Sequence, residues 1–408
     1  MGEGRGNALS TLLFVGAGRH QRRAIRRVRE LGHRVVAIDR NPEALGFREA
    51  DEAELVDFAD LGDVIEVARR RGVDGVMTVA ADRAVPVVAA VAEELGLAGI
   101  GTETARRMTH KGEMRGAFAN AGVPQPPFAL LRSAHDSKDA VLFPAVLKPA
   151  DSGGQRAVFR IESESDLERH LEEALAESPS RTAILEEFVD GVEMNGIVVV
   201  RERVAEVLTL SDRLRPPGLG FGVGWLHIYP PSINSGQLSL AQDVAADAVR
   251  ALGMQDGIAF PQLIAAPDGR VVVVEIAARI PGGQMADLVN HAVGVDLVQV
   301  AVLQALGEDV PDEVALPRFS QPLAIRFFTA QPGPLPTGRV ARIGALEPLL
   351  AAEGVVQAET YLEVGETIRP VRRDGDRRGY VIAVAETSEK AVRRADAAAQ
   401  LLTVEIEP

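Results

Sequence analysis

A lysine between a short apolar strand and a glycine-rich turn is the first candidate for chemistry in this sequence. The segment FPAVLKPADSGGQRAV, residues 143–158, contains Lys148, Ser152, Gly153, Gly154 and Arg156. The 44 basic residues of the chain include only four lysines, which are Lys111, Lys138, Lys148 and Lys390. A lysine kept in a buried strand of such an arginine-rich chain indicates a need for a compact ammonium group.

The turn after Lys148 has the groups that a polyphosphate requires. Gly153 and Gly154 let backbone amides approach an anion closely, Ser152 adds a hydroxyl, and Arg156 adds charged donors. An ordinary hairpin turn with a surface lysine is the structural alternative.

A second segment, ILEEFVDGVEMNG at residues 184–196, combines an extended stretch with several carboxylates. Extended backbone can hydrogen-bond to the edge of a purine, and a carboxylate four to seven residues further on is placed for a ribose diol. The residues concerned are Glu186, Glu187, Val189 and Glu193. Acidic turns between strands are common, so a purely structural role is the alternative.

A third segment, VVVVEIAARIPGGQ at residues 271–284, is a buried strand that ends in a carboxylate. Side chains alternate along a strand, so Glu275, Ala277 and Arg279 lie on one face. A carboxylate beside an arginine is suited to a magnesium ion next to a developing phosphate charge. A structural ion pair between Glu275 and Arg279 is the alternative.

The elements around these segments predict several domains. Residues 11–100 alternate apolar strands with helices, which predicts a parallel Rossmann-like sheet. Its first turn has Gly16 and Gly18, but Gln21 stands where a dinucleotide fingerprint has a third glycine. NAD or FAD binding by this turn stays open, and a tight strand-to-helix turn is the simpler interpretation.

The rest of the chain has a different pattern. A helix over residues 102–121 ends at Gly122, and α+β patterns follow from residue 141. A proline- and glycine-rich segment around Trp225 predicts a functional lid, and after residue 311 short β patterns precede a helix.

Composition limits the function classes. The 408 residues carry a net charge of −14, which argues against bulk electrostatic binding to nucleic acid or to an anionic membrane. Without cysteine there is no disulfide and no thiolate chemistry, and the seven histidines lack the spacing of a zinc site. The polar amino-terminal decapeptide predicts neither a signal nor an anchor, so we expect a cytoplasmic protein.

Taken together, these segments resemble the ATP-grasp superfamily. KGEMRGAFANAGVPQP, which begins at Lys111, is similar to the family's first lysine helix, and the Lys148 segment is similar to its second lysine and lid loop. EEFVDGVE resembles the adenine-ribose segment, and EIAARIPGG resembles the metal strand. The resemblance covers nearly the whole chain.

The resemblance implies a mixed α/β and α+β fold in three parts. We expect a Rossmann-like pre-ATP-grasp domain at residues 1–105 and an ATP-grasp domain at 106–310. The latter divides into subdomain A, about 106–189, and subdomain B, about 190–310. A small β-rich carboxyl-terminal cap follows at 311–408.

The resemblance also assigns roles to residues. ATP phosphates would contact Lys111 and Lys148, under a lid formed by Ser152, Gly153, Gly154 and Arg156. Adenine would lie against Glu186, Glu187 and Val189, and Glu193 would hold the ribose. Mg²⁺ would bind Glu275 and Gln262, and Arg279 and Lys148 would be the catalytic residues. Apart from the resemblance, we expect substrate contacts from the lid segment Arg213–Tyr229, which contains Trp225, from Gly282 and Gly283 at a helix amino terminus, and from Arg326.

One position departs from the family pattern. The asparagine expected two residues after the metal glutamate is Ala277, and Gln262 is neutral. A single carboxylate therefore stands where Mg²⁺ commonly meets two. Water, Gln262 and substrate oxygens would complete the coordination shell, or a second metal ion would bind weakly.

The implied activity is that of an ATP-dependent carboxylate-amine ligase of the amino-acid ligase type. Small-molecule carboxylate and amine substrates are expected partners, and a homodimer is the first assembly to test because dimers are the commonest. Three alternatives remain: a bicarbonate-activating enzyme of the same superfamily, a nicotinamide oxidoreductase that uses the Gly16 turn, and a non-catalytic nucleotide-binding protein.

Overall fold

The computed structural model of the protein describes residues 9–136, 138–153, 156–216 and 221–408. Its amino-terminal unit is a parallel four-stranded sheet in the order β3-β2-β1-β4. The strands are β1 (Thr11–Val15), β2 (Arg34–Asp39), β3 (Glu52–Leu55) and β4 (Gly75–Met77). The α-helices are α1 (Arg22–Glu30), α2 (Leu61–Arg71) and α3 (Val85–Leu95), with 3₁₀ helices at Leu45–Arg48 and Asp82–Ala84. Strand β1 is buried along its whole length, as expected for a parallel strand covered on both faces.

The next unit has three helices and an antiparallel sheet in the order β5-β8-β6-β7. The helices are α4 (Thr102–Thr109), α5 (Lys111–Ala121) and α6 (Glu164–Glu177). The strands are β5 (Phe128–Leu131), β6 (Ala145–Pro149), β7 (Phe159–Ile161) and β8 (Ala183–Glu187). Helix α5 ends at Gly122, whose left-handed φ of +70° suits a residue without a side chain.

An eight-stranded antiparallel sheet forms the centre of the molecule, in the order β13-β12-β9-β10-β11-β14-β18-β16. Five of its strands precede residue 310: β9 (Val192–Arg201), β10 (Val204–Leu214), β11 (Leu226–Tyr229), β12 (Gly257–Ala265) and β13 (Val271–Ala277). Its other strands are β14 (Leu323–Phe327), β16 (Val355–Thr360) and β18 (Gly379–Val384). The helices of this region are α7 (Ser235–Ala251), α8 (Met285–Val293), α9 (Leu297–Ala305) and α10 (Asp312–Ala315).

The carboxyl-terminal part adds a three-stranded sheet in the order β17-β15-β19. Its strands are β15 (Gly338–Ile343), β17 (Thr367–Ile368) and β19 (Val404–Ile406). Helices α11 (Glu347–Leu350) and α12 (Ser388–Ala399) and a 3₁₀ helix at Asp374–Asp376 complete it. Alanines of α12 pack with β14 and β18 in one buried apolar cluster.

This architecture confirms the predicted fold class. It also shows that three strands of the carboxyl-terminal part, β14, β16 and β18, continue the central sheet, whereas β15, β17 and β19 form a sheet of their own. The domain boundaries themselves stay predictions.

Within the described ranges, no single helix has the length and apolarity to cross a membrane. Helices α8 and α9 satisfy the length and composition criteria only as a pair, and they meet at a bend of 110°. Both contribute buried side chains to the largest apolar cluster of the protein.

Candidate active site

A cleft of about 490 Å³ lies between the antiparallel β5-β8-β6-β7 sheet, the central sheet and the segment that follows β4. Most of the predicted site residues line it, namely Lys111, Lys148, Ser152, Gly153, Arg156, Glu186, Glu187, Val189, Glu193, Gln262, Glu275, Arg279, Gly282 and Gly283. Gly154, also predicted, lies outside the described residues. The structure therefore brings together segments that are far apart in the sequence.

Lys148 projects from β6 into a buried group of charges. Its Nζ lies 2.7 Å from Oε2 of Glu186 on the neighbouring strand β8. The other oxygen of Glu186, Oε1, accepts a hydrogen bond of 2.7 Å from Nε of Arg115. Arg115 also donates to the carbonyl oxygens of Val273 and Val274 on β13. The Glu186–Arg115 pair therefore connects helix α5, the β5-β8-β6-β7 sheet and the central sheet.

The charges in this group affect each other's ionisation. Burial lowers the pKa of Lys148, and Arg115 lowers it further, while Glu186 opposes the fall. Burial alone would raise the pKa of Glu186, but Arg115 and Lys148 hold it below its usual range. Two cations and one carboxylate leave an excess positive charge, which suits a phosphate.

Lys111 is the first residue of helix α5 and also lines the cleft. Its Nζ lies 3.2 Å from Oε1 of Glu275 and donates to the carbonyl oxygen of Ser152 at 2.8 Å. The enclosed position of Glu275 would raise its pKa, but Lys111 and Lys148 lower it. Both lysine ammonium groups therefore act on the same carboxylate.

Gln262 and Glu275 lie directly opposite each other on β12 and β13. They offer one amide and one carboxylate oxygen group on a single face, a donor set compatible with Mg²⁺ when phosphate oxygens and water complete the shell. No cluster of three or more His, Asp and Glu side chains arranged for a metal ion occurs in the described ranges. The residues present therefore fit a metal ion that is brought with a phosphate ligand.

Arg279 follows β13 and contacts the amino-terminal unit. Its Nε and Nη2 lie 2.8 and 2.6 Å from Oδ1 of Asp82, in the 3₁₀ helix after β4. Its third nitrogen, Nη1, is buried without a hydrogen-bond partner among the described residues. The guanidinium thus has one unused donor group within the cleft wall.

The loop after Lys148 is held to helix α6. Arg156 Nη1 lies 2.7 Å from Oε1 of Glu177, and Arg156 Nη2 donates to the Ser152 hydroxyl at 3.1 Å. A Cβ atom on Gly153 would lie 3.1 Å from Oδ2 of Asp82. The loop thus approaches the same aspartate that holds Arg279.

The other predicted adenine and ribose residues, Glu187, Val189 and Glu193, also line the cleft. Val189 packs in a small apolar cluster with Ala266 and Val272. Glu187 lies 3.6 Å from Nη1 of Arg270. Glu193 has both oxygens engaged, by Arg213 at 3.0 Å and by Arg215 at 2.6 Å. A ribose at Glu193 would therefore share it with two arginines.

Trp225 and Arg326 are not among the described residues that line the cleft. The Arg326 guanidinium lies over the Trp225 ring, 3.8 Å from its centroid, and its Nε lies 2.9 Å from Asp396 on α12. Because both side chains pack toward α12, their predicted contact with substrate gains no support from the structure.

Several cleft residues were not predicted from the sequence. They are Asp82 and Arg377, together with Arg115, which pairs with Glu186 of the cleft. Arg213 and His227 also line the cleft, and both lie in the Arg213–Tyr229 segment that was predicted to contact substrate. Arg115 carried a usable signal, since it lies four residues after Lys111 on the same helix and therefore shares its face. Asp82 and Arg377 come from segments whose proximity depends on the tertiary fold.

Side chains of the protein occupy the space around the Gly16 turn. Asp39 Oδ2 accepts from the Ala17 amide at 2.9 Å, and Gln21 Nε2 donates to the Val79 carbonyl oxygen at 2.6 Å. The Gln21 side chain lies against Gly16 and Gly18. Gln21, which stands where a dinucleotide fingerprint has its third glycine, thus has a side-chain amide with a structural role.

Three family profiles match successive parts of the chain. The ATP-grasp N-terminal domain matches residues 26–99, the D-ala D-ala ligase C-terminus matches 117–217, and the L-amino acid ligase C-terminal domain 2 matches 326–407. The uncharacterized protein y4rH of Sinorhizobium fredii is 28% identical over 393 residues, which cover 92% of this chain and 77% of that protein.

More distant relatives agree with these matches. The mitochondrial carbamoyl-phosphate synthase [ammonia] of Mus musculus is 23% identical over 81% of this chain, which spans only 22% of that protein. The crystal structure of an L-amino acid ligase from Bacillus licheniformis superposes with a TM-score of 0.83 at 20% identity, covering 98% of this chain and 99% of that one. The chain therefore belongs to the ATP-grasp superfamily of ATP-dependent ligases.

Proposed function

We propose that this protein joins a carboxylate to an amine at the expense of ATP, and that its substrates are amino acids or similar small molecules. The observation that carries the proposal is the convergence of Lys111, Lys148 and Glu275 in one cleft. The matching L-amino acid ligase domain supports the choice of substrate class.

The reaction would proceed in two displacements. An oxygen of the substrate carboxylate attacks the γ-phosphorus of ATP, the bond to the β–γ bridging oxygen breaks, and ADP leaves. The amine nitrogen then attacks the acyl carbon, the bond to the phosphate oxygen breaks, and the amine proton passes to phosphate or solvent. The protein mainly positions the reactants and neutralises charge in such a transfer.

The cleft residues have distinct tasks in this scheme. Lys148 and Lys111 would bind phosphate oxygens, and each keeps a carboxylate partner that orients it. Arg279, with its unpartnered Nη1, would stabilise the charge on the transferred phosphoryl group. Glu275 and Gln262 would hold Mg²⁺, which would polarise the phosphate oxygens when bound.

The test is an ADP-release screen over pairs of amino acids and small carboxylates with Mg-ATP. We expect turnover with at least one pair, and Lys148→Ala should lower kcat by about 10²- to 10³-fold because a buried charge on the transferred group is lost. Lys390→Ala, an exposed lysine on α12, should retain the wild-type rate.

Hydroxylamine identifies the intermediate. An organic acyl phosphate is trapped as a stable hydroxamate, whereas a carboxyphosphate made from bicarbonate yields none. The proposal is wrong if ADP release depends on bicarbonate alone and no hydroxamate forms. It is also wrong if NAD binds and Mg-ATP does not.

A further inference from the structure

The cleft is also bordered by a group of charges to which the proposed phosphoryl transfer assigns no catalytic task. We name it the arginine cluster, and it consists of Arg213, Arg215 and Arg377 with Glu193 and Asp374. Arg377 pairs with Asp374, and Arg213 and Arg215 both pair with Glu193. Three guanidinium groups against two carboxylates leave one uncompensated positive charge.

Arg377 is the member of this cluster that faces the cleft with an unused donor. It is buried, with an exposed fraction of 9%, and its Nε has no hydrogen-bond partner among the described residues. Its guanidinium lies over the Phe327 ring, 4.0 Å from the centroid. A buried charged donor without a partner is costly, so a bound anion would relieve it.

Arg213 and Arg377 are close neighbours. A Cβ atom on Gly224 would lie 3.0 Å from Nε of Arg213 and 3.2 Å from Nη2 of Arg377. Burial lowers the pKa of Arg377, and the charge of Arg213 lowers it further. Each of the two guanidinium groups has one carboxylate partner, and a further anion beside them would offset the remaining repulsion between them.

Neutral donors complete the surroundings. Gly283, with φ +68°, brings its backbone close to the cluster, and a Cβ there would lie 3.3 Å from Nη1 of Arg377 and 3.7 Å from Nε2 of His227. Burial, with Arg377 and Arg213, lowers the pKa of His227 well below its usual range. Its Nδ1 lies 3.5 Å from Nδ2 of Asn195, so the tautomer protonated at Nε2 accepts from that amide and keeps a donor at Nε2.

We propose that Arg377, supported by Arg213 and His227, binds a substrate carboxylate that is not the one being activated. The inference rests on the proposed ligase function and deepens it, because it requires a substrate with a second anionic group. That group is either the α-carboxylate of the amine substrate or the second carboxylate of a dicarboxylic acid. A planar guanidinium pairs with a carboxylate through two parallel hydrogen bonds, which sets its orientation.

Substrate analogues test this on the wild-type enzyme. Each active amine substrate is compared with its carboxamide, and each active acid with its monocarboxylate analogue, in ADP-release assays. We expect KM to rise by about 10- to 100-fold for the analogue that lacks the recognised charge, as for loss of a charged hydrogen bond. A rise with the amine carboxamide assigns the group to the amine, and a rise with the monocarboxylate assigns it to the acid.

A variant links the effect to the residue. Arg377→Gln should raise KM for the charged substrate to the level of its neutral analogue, without a further loss for the analogue. Arg372→Gln, an exposed arginine of the same segment, should leave both values unchanged. Equal KM values for charged and neutral substrates in the wild type, or equal discrimination in wild type and Arg377→Gln, would refute the proposal.

Calorimetric binding of the same amino acids and dicarboxylates, without ATP, separates the two hypotheses. Binding that depends on Arg377 in a protein without ATP turnover would support the subsite and refute the ligase function. ATP turnover that does not depend on Arg377 would support the ligase function and refute the subsite.

Discussion

At the scale of single residues, the structure explains why a lysine is kept at position 148. The site offers one carboxylate, Glu186, to two cations on different elements. Arg115 occupies one side of it with a planar fork and also reaches two carbonyl oxygens of β13. The remaining oxygen is matched by a point charge that can also turn toward a ligand, which a second guanidinium could not do as easily.

Arg115 gives a prediction on stability. Replacing it by alanine leaves Glu186 with one partner and leaves two carbonyl oxygens of β13 without this donor. Arg115→Ala should therefore reduce the free energy of unfolding by about 3–5 kcal/mol, measured from urea unfolding curves. Arg106→Ala, an exposed arginine on α4 that pairs with Glu113, should cost about 1 kcal/mol or less. Equal losses in the two variants would contradict this role.

At the scale of elements, the 3₁₀ helix after β4 connects the amino-terminal unit to the cleft. Val79 and Ile280 form a parallel bridge, and the amide of Ala80 donates to the carbonyl oxygen of Ile280 at 2.9 Å. Asp82 then lies within hydrogen-bond distance of Arg279 and next to Gly153 in the loop after Lys148. We infer that Asp82 is a positioning residue for Arg279.

Asp82→Asn tests this positioning. The variant keeps the shape but loses the negative charge, so Arg279 should hold its orientation less well. We expect kcat to fall by about 10- to 100-fold, as for a small displacement of a positioned group, with little change in KM for ATP. Asp82→Glu should recover part of the rate, and Asp63→Asn on the exposed start of α2 should have no effect. A change confined to KM for ATP would instead assign Asp82 to nucleotide binding.

The difference between what the sequence predicted and what it missed also lies at this scale. The strand of Lys148, the strand of Glu275 and the turn before α8 were predictable, because each combines local periodicity with chemically suited residues in one segment. Arg377 was not predictable, because it is one arginine in an exposed-looking segment, RRDGDRRGY. Its position depends on the long-range pairing of β18 with β14, and of β14 with β11, which brings it beside Phe327 and His227.

At the scale of the whole molecule, the central sheet was predicted in parts but not as one body. Strand patterns were visible before and after residue 311, yet the pairing of β11 with β14 joins strands separated by nearly a hundred residues. Alternation of polar and apolar residues predicts a strand and its buried face, but it contains no information on the partner strand. The fold class was therefore predictable, and the continuity of the sheet was not.

The same continuity places the carboxyl-terminal strands against the amino-terminal unit. Arg23 on α1 lies 3.0 Å from Asp287 in the first turn of α8 and donates to the hydroxyl of Tyr380 on β18. Gln284, just before α8, donates to the hydroxyl of Tyr361 at 3.0 Å. Helix α1, the start of α8 and the carboxyl-terminal part therefore contact one another next to Gly283, which borders the arginine cluster.

Arg23 gives a prediction whose size depends on pH. Burial raises the pKa of Asp287, while Arg23 and His291 lower it and Glu359 raises it. The pKa of this carboxyl is about 3.8 in the unfolded chain and higher in the folded protein. Its protonation therefore stabilises the folded protein at pH values below about 3.8, and this contribution to stability is lost as the pH rises through the folded-state pKa. Arg23→Met removes the main opposing charge, so the deficit in thermal midpoint relative to wild type should be larger at neutral pH than at mildly acidic pH. Arg40→Met, an exposed arginine that lies 3.7 Å from Asp57, should show a small deficit without this trend. A deficit for Arg23→Met that is constant with pH would mean that Asp287 is not the group that responds.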